Sequence, residues 1–324
     1  MTAAAIGMQA RTGTRFHLVL LAVALVLIVA LRLIGNDYAY YTGYVVLQYV
    51  VLAVAWNILG GYGGYVNFGT AAFFAAGTYT TILLNKAFGL DLLLCIAVAA
   101  VVSGLLGLAM GYLTLRLRGV YFAIATLSLA VVLQTLVVNW HYAGGSSGVY
   151  IVRPRSYAFF DNYSEFLFVL MLVLALASIA IARAIERSKL GLGLTTIRDD
   201  ERAAEATGVP TLRVKLVATA VSGALMGMAG APLPYYSSYI NPEAAFSLTY
   251  SINAMAMSLI GGTHSWIGPV IGAVLLSSLQ QFATVTISSS ANMLIIGCML
   301  VFFVIAAPKG ILGLLRSFRK DHSA

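Results

Sequence analysis

The chain has 324 residues, of which 60% are hydrophobic and 9% are charged, and its mean hydropathy is +0.92. An ordinary soluble domain is about 25% charged, so this composition argues against a soluble enzyme, a disordered chain or a fibrous repeat and indicates a membrane protein with many spans. The net charge of +8 suits nucleic-acid binding, but membrane proteins also concentrate Lys and Arg on one side of the bilayer.

Ten apolar stretches are predicted to cross the membrane, because a helix needs about 20 apolar residues to span the hydrocarbon core. Their approximate ranges are 17–34, 39–60, 70–86, 91–115, 120–140, 165–185, 214–233, 246–262, 267–286 and 290–307. The first is expected to be a retained helix, since no small-residue cleavage site closes it. The sequence therefore predicts an all-α, polytopic fold, with residues 1–324 forming a single transmembrane domain.

The distribution of Lys and Arg supports ten spans with both termini in the cytoplasm. This topology places 15 of the 19 basic residues on the cytoplasmic side, as the positive-inside rule requires. The four outer ones are Arg32, Lys86, Arg153 and Arg155. Insertion thus accounts for the basic excess, and no nucleic acid is expected as a partner.

A glycine-rich stretch at residues 60–74 interrupts the apolar pattern between the second and third spans. Its glycines disfavour a continuous helix, and unwound backbone at membrane depth is tolerated where it is buried in protein or lines a cavity. Such a break offers backbone groups to a zwitterionic solute, and the next helix N-terminus can face its carboxylate. A plain cytoplasmic turn is the alternative. The predicted pathway residues of this stretch are Gly63, Gly64, Asn67, Gly69 and Thr70.

The predicted spans contain no obvious source of energy. Proton- and sodium-driven transporters usually need acidic groups or unwound helices at mid-depth, and no ionisable residue falls in the middle of a predicted span. The sequence has no phosphate-binding loop, no catalytic constellation and no metal or haem spacing, so no cofactor or metal is expected. If the chain transports a solute uphill, another subunit must drive it.

The longest polar stretch predicted on the cytoplasmic side is residues 186–213, which contain a signal for a short helix. Asp199 is predicted to be its N-cap, Gly208 suits the position after its C-cap, and Pro210 cannot continue it. The helix would have about eight residues and a length of roughly 12 Å. It is either a solvated connector or a docking helix for a cytoplasmic partner.

This polar stretch carries a family resemblance. Glu201-x-Ala203-Ala204 with Gly208 resembles the Glu-Ala-Ala loop of ABC-importer permeases, and residues 197–215 resemble the branched-chain amino acid (LivM-type) permease family. The resemblance implies that the loop fits a cleft on an ATPase and transmits ATP-driven movement to the membrane helices. The residues it assigns to this coupling are Arg198, Glu201, Ala204 and Gly208.

Further segments resemble the same family in order along residues 55–314, which leaves the first span uncovered. Residues 61–73 match a glycine signature but depart from it at Tyr65, Asn67 and Thr70, where Gln, Ser and His are usual. Residues 117–127 resemble a second segment of the family. Within it, Thr126 either bonds within its own helix or faces the pathway. Two later glycine motifs imply an outer mouth and a further pathway contact. These are Gly144, Gly145 and Gly148 for the mouth, and Gly261 and Gly262 for the pathway.

The resemblance implies a permease subunit of an ATP-driven importer in a bacterial inner (plasma) membrane. It would carry branched-chain or related amino acids by alternating access, without being an enzyme itself. Its partners would be a second homologous permease, two cytoplasmic ABC ATPases, an extracytoplasmic solute-binding protein and the lipid bilayer. The departures in the glycine signature leave open urea, amides or another small polar solute, and a stand-alone channel or facilitator is a further alternative.

Overall fold

The computed structural model describes residues 16, 18, 20, 22–29, 32, 36–154, 160, 162–286, 297–298, 301 and 310–313. Within these residues the regular secondary structure is helical apart from two short strands, which confirms the predicted all-α class. Seven helices of this part are long and apolar enough to cross a membrane. They are Asp37–Gly63, Leu92–Thr114, Val120–Val138, Tyr163–Glu186, Thr211–Ser237, Pro242–Gly261 and Ile267–Thr284.

The helices are numbered here in chain order, starting after a helical stretch at 22–29. They are α1 Asp37–Gly63, α2 Thr70–Phe88, α3 Leu92–Thr114, α4 Val120–Val138, α5 Tyr163–Glu186, α6 Lys189–Asp199, α7 Glu201–Ala206, α8 Thr211–Gly230, α9 Leu233–Ser237, α10 Pro242–Ala245, α11 Leu248–Gly261 and α12 Ile267–Thr286. Short 3₁₀ turns occupy His141–Ala143 and Gly145–Ser147. Strand β1 (Val149–Tyr150) pairs antiparallel with β2 (Tyr239–Ile240).

Seven of the ten predicted spans coincide with the seven candidate membrane helices. The predicted span at 70–86 is the helix α2, but its threonines, Asn85 and Lys86 make it less apolar than those seven, and it is not among them. Most of the predicted spans 17–34 and 290–307 lies outside the described residues, as do both chain ends. The cytoplasmic placement of the termini and the single domain over 1–324 stay predictions.

Helix α1 lies at the centre of the bundle and packs against α5, α8, α11 and α12. Its second half is almost fully buried, with Trp56, Ile58 and Leu59 among the most enclosed side chains. Elsewhere in the bundle, pairs of helices approach each other closely at glycines. A Cβ at Gly77 of α2 would lie 1.9 Å from the carbonyl oxygen of Gly227 in α8, so backbone touches backbone at that crossing.

The predicted break in the glycine-rich stretch is confirmed, but it begins later than residue 60. Helix α1 continues through Gly63, and the chain leaves it at Gly64, which has a φ of 75°. Gly60, Gly61 and Gly63 lie within the helix. A glycine is needed at position 60 because a Cβ there would overlap the Trp56 ring. Residues 64–69 are the non-helical part and are called the re-entrant segment below.

The polar stretch 186–213 contains two helices, where the sequence predicted one. The predicted N-cap Asp199 is wrong, because Asp199 is the last residue of α6 and the N-cap of α7 is Asp200. Asp200 has the extended backbone that an N-cap needs, and its carboxylate accepts hydrogen bonds from the N–H groups of Arg202 and Ala203. The predicted position of Gly208 is confirmed: it follows the C-cap with a φ of 85°.

Candidate functional site

The re-entrant segment turns back into the bundle after α1 ends. The indole N–H of Trp56 donates a hydrogen bond to the carbonyl oxygen of Asn67 at 2.9 Å. Trp56 lies seven residues before the end of α1, which is about 10 Å back along the helix axis. Helix α2 therefore begins inside the bundle, at the level of Trp56, and not at the end of α1.

The backbone of the re-entrant segment is held by side chains from two other helices. The N–H of Phe68 donates to Thr126 Oγ1 of α4 at 3.2 Å, and the hydroxyl of Ser251 in α11 donates to the carbonyl oxygen of Phe68 at 2.8 Å. Ser251 Oγ also accepts from the N–H of Ala71 at 3.1 Å. Unwound backbone at this depth needs such partners. These backbone groups, which the sequence analysis expected a solute to use, are thus already engaged.

The start of α2 contains a buried hydroxyl, that of Thr70, which has no partner in the described part of the chain. Asn67 Oδ1 accepts a hydrogen bond from the N–H of Gly69 at 2.7 Å. Thr70 follows as the first residue of α2 and is fully buried, and among the described residues its hydroxyl has no hydrogen-bond partner. A buried hydroxyl without a partner is uncommon. It lies where the helix dipole favours a negative charge.

Beside α2 lies an open apolar groove with a volume of about 860 Å³, lined by α2, α3 and α4. It begins at Ala72 in the first turn of α2 and extends to Trp140 after α4. Ala76, Leu105 and Tyr79 line it between these points, and its walls are almost entirely apolar. The groove therefore leads from the β1–β2 end of the bundle to the first turn of α2.

At the opposite end, four side chains from separate segments form a group called here the Glu201 cluster: Tyr65, Arg118, Glu201 and Lys215. The Lys215 ammonium lies 2.6 Å from Glu201 Oε1 and donates to the carbonyl oxygen of Leu115 at 3.1 Å and to the Tyr65 hydroxyl oxygen at 3.0 Å. Tyr65 donates to Glu201 Oε2 at 2.7 Å, and Arg118 Nε lies 3.0 Å from that oxygen.

Burial and charge act in opposite directions on the Glu201 carboxyl. Burial alone would raise its pKa, but hydrogen bonds from Lys215 and Tyr65, with the charges of Lys215 and Arg118, outweigh burial and lower the pKa below its usual range. Lys215 is only 3% exposed, and a cation so buried needs a charged partner. The ionised carboxylate is that partner.

The four residues expected to couple to an ATPase face different directions. Glu201 and the fully buried Ala204 point toward the membrane helices. Arg198 donates to the carbonyl oxygen of Gly61 at 2.8 Å and lies 3.5 Å from His264 Nε2. Gly208 is exposed. The outward surface of this region is formed by Arg202, Ala203, Glu205, Ala206, Thr207 and Gly208.

The remaining predicted pathway glycines lie at helix ends. Gly63 and Gly64 adjoin Leu194 and Arg198 of α6. Gly261 and Gly262 form the tight turn from α11 to α12, where a Cβ at Gly261 would lie 1.8 Å from the carbonyl oxygen of Gly268. Of the predicted pathway residues, the structure brings together Asn67, Gly69, Thr70 and Thr126 through the re-entrant segment.

The glycines predicted for an outer mouth shape the connection from α4 to β1. Gly144, Gly145 and Gly148 have φ values of 95°, 54° and 74°, a region that favours glycine. Gly148 lies against the β2 strand, where a Cβ would meet the carbonyl oxygen of Ile240 at 2.5 Å. Arg153 follows β1 and bonds Tyr41 and the carbonyl oxygens of Tyr235 and Tyr236.

Sequence reasoning did not include five residues of these sites among its functional candidates: Trp56, Tyr65, Arg118, Lys215 and Ser251. The available signal was Lys215 at the start of an apolar run, because a lysine buried there needs a charged partner. In the part of the chain that the structure describes, no group of three or more His, Cys, Asp or Glu is placed to hold a metal ion.

The chain matches the family described as branched-chain amino acid transport system / permease component over residues 39–304. The high-affinity branched-chain amino acid transport system permease protein LivM of Salmonella typhimurium is 29% identical over 83% of this chain and 68% of its own length. LivM of Escherichia coli K12 is 28% identical over the same shares. LivH of Escherichia coli K12 is 22% identical over 82% of this chain and 91% of its own length. No solved structure shows a significant match.

Proposed function

Because this chain belongs to the permease family of branched-chain amino acid transport systems, we propose that it forms half of the translocation pathway of an ATP-driven importer. As a multi-pass membrane permease of a bacterial ABC transporter family, it is not an enzyme. Two cytoplasmic ATPases would hydrolyse ATP, and an extracytoplasmic binding protein would deliver the solute. Escherichia coli K12 has relatives named LivM and LivH, which supports a second, different permease chain as the other half.

The observation that carries the solute assignment is the buried start of α2 beside the apolar groove. The free Thr70 hydroxyl and the helix N-terminus suit a carboxylate, and the groove that begins two residues later, at Ala72, suits an aliphatic side chain. A branched-chain amino acid combines these two groups. In alternating access, the solute would pass along the groove and reach Thr70 before the opposite end opens.

The departures from the family signature do not favour a different solute. Tyr65 bonds the Glu201 cluster, and Asn67 bonds the N–H of Gly69. Both changed residues therefore have bonding roles within the chain, whereas the buried Thr70 hydroxyl has no hydrogen-bond partner among the described residues. Urea and small amides lack the aliphatic group for which an apolar groove of this length is suited.

Removing the Thr70 hydroxyl is expected to slow uptake. In proteoliposomes holding the complete transporter, Thr70→Val should lower kcat/KM for ATP-driven leucine uptake by about tenfold or more, because a hydrogen bond to a charged group contributes roughly 1.5–3 kcal/mol. Thr81→Val is the matched control, since the equally buried Thr81 hydroxyl donates to the carbonyl oxygen of Gly77 in its own helix. Equal uptake by the Thr70→Val variant and the wild type contradicts the carboxylate site.

Narrowing the groove is expected to discriminate between solutes. Ala76→Phe places a ring in the groove and should slow leucine uptake about tenfold, the equivalent of 1–3 kcal/mol of overpacking, with a smaller effect on alanine uptake. Ala97→Phe makes the same change at an exposed position of α3 outside the groove. If Ala76→Phe slows both solutes equally, the groove does not hold the side chain.

Uptake competition separates the alternative solutes and the alternative mechanism. Unlabelled isoleucine should compete with labelled leucine, whereas urea and acetamide should not. Liposomes that hold this chain without ATPases should not accumulate leucine. Competition by urea, or accumulation without ATP, would overturn the proposed importer function.

A further inference from the structure

The Glu201 cluster joins α7 directly to the first part of the re-entrant segment. Glu201 is the first residue of α7, and Tyr65 is the second residue of the re-entrant segment. Their side chains are separated by one hydrogen bond of 2.7 Å. Among the described residues, the ion pairs of α7 are those that Glu201 makes with Lys215 and Arg118. Glu205 of α7 also accepts a hydrogen bond from Thr211 of α8, but it is Glu201 that joins α7 to the re-entrant segment.

Tyr65 is fixed within this cluster from several directions. Its hydroxyl donates to Glu201 and at the same time accepts from Lys215, which sets the direction of the phenol O–H. Its ring meets Phe122 of α4 edge to face, with the centroids 5.1 Å apart. A displacement of Glu201 must therefore either break these contacts or move Tyr65 with it, since packed interiors do not deform continuously.

The re-entrant segment transmits such a displacement over a short distance. Tyr65 lies five residues before Thr70, and the intervening backbone is held by Trp56, Thr126 and Ser251. These bonds come from three different helices, so the segment shifts as a unit or releases all of them. The path from α7 to the start of α2 is therefore short, and Asn67, Phe68 and Gly69 along it are hydrogen-bonded.

We propose that Tyr65, Glu201 and Lys215 are positioning residues that convert movement of α7 into movement of the re-entrant segment. The proposal rests on the proposed function, in which an ATPase pushes α7. In this arrangement Glu201 does not contact the ATPase; it holds Tyr65 from inside, while the outward face of α7 receives the push. Lys215 keeps the carboxylate ionised and oriented.

The experiment measures the response of the re-entrant segment to nucleotide, independently of any solute. Val66 is 40% exposed and lies next to Tyr65, so Val66→Cys reports on the segment, with Cys95 and Cys298 replaced by Ser. The complete transporter is reconstituted, and the rate of maleimide labelling at position 66 is compared with and without vanadate-trapped ATP. The labelling rate should change with nucleotide in the parent protein.

Tyr65→Phe should abolish this nucleotide-dependent change while ATP hydrolysis persists. Tyr62→Phe is the matched control: its hydroxyl also donates to a carboxylate at the same end, that of Glu186 at 3.2 Å, and it should leave the change intact. A structural role alone would lower the amount of protein in the membrane and would not remove the response. If the Tyr65→Phe protein responds like the control, Tyr65 does not link movement of α7 to movement of the re-entrant segment.

A second variant decides the question if Tyr65→Phe does not accumulate in the membrane. Lys215→Met alone leaves the partly buried Glu201 carboxylate with fewer partners, and adding Glu201→Gln removes that charge. The double variant should recover membrane protein relative to Lys215→Met and still show no nucleotide response at position 66. If the double variant shows the nucleotide response, the proposal that these residues transmit the movement of α7 is wrong. Failure of the wild-type complex to import leucine, with the labelling response intact, contradicts the proposed solute and supports the link.

Discussion

Gly208→Trp is expected to abolish ATP-driven uptake without preventing insertion of the chain into the membrane. Gly208 follows α7 with a φ of 85°, and a Cβ built there meets no atom within 4 Å. A side chain at this position therefore projects into open space beside a hollow of about 480 Å³ lined in part by Pro210 and Arg213. An indole ring there would occupy the surface that we propose an ATPase covers, while the helices beneath stay unchanged.

Gly208→Ala separates this effect from backbone strain. Both substitutions force an L-residue into the left-handed region, at a cost of about 1–2 kcal/mol, but only Trp adds bulk. Alanine should keep most of the uptake, whereas tryptophan should lose both uptake and co-purification of the ATPases with this chain. The coupling role of this surface is refuted if the tryptophan variant retains its ATPases and transports normally.

The agreement between sequence and structure follows from the range of the interactions involved. The membrane helices could be predicted because a bilayer dictates a long apolar run, which is a local property of the chain. The break after α1 could be predicted because glycines mark it. The depth of that break could not, since it depends on bonds to Thr126 and Ser251, which lie 58 and 183 residues from Phe68.

The α7 region also combines features that follow from the local sequence with features that depend on distant contacts. Asp199 and Asp200 have equal capping propensity, so the sequence alone favours neither. The choice is made by α6, whose backbone continues through Asp199. Likewise, Glu201 was identified through its motif, but its direction was not: Lys215 and Tyr65 are 150 residues apart, and no local pattern connects them. The side chain that the resemblance assigned to coupling points inward.

Gly77→Ala is expected to prevent stable assembly of the bundle. Helices α2 and α8 cross at this residue, where the added methyl carbon would lie 1.9 Å from the Gly227 carbonyl oxygen and 2.6 Å from its carbon. These are backbone atoms, so no side-chain rotation relieves the overlap, and the two helices must separate. The free energy of unfolding should fall by roughly 3 kcal/mol or more, the upper range for overpacking. The fall is large because separating the two helices also disturbs neighbouring contacts such as that of Gly230 with Phe74.

Gly104→Ala provides the matched comparison at another helix that packs on α8. Gly104 of α3 also faces α8, but its added methyl carbon would lie 3.4 Å from the Cβ of Ala224, which is ordinary van der Waals contact. Alanine also raises helix propensity by up to about 1 kcal/mol. Gly104→Ala should therefore match or exceed the wild type in thermal unfolding in detergent, whereas Gly77→Ala should be depleted from the membrane and unfold at a much lower temperature. Equal unfolding temperatures for the two variants would show that α2 and α8 do not meet backbone to backbone at Gly77.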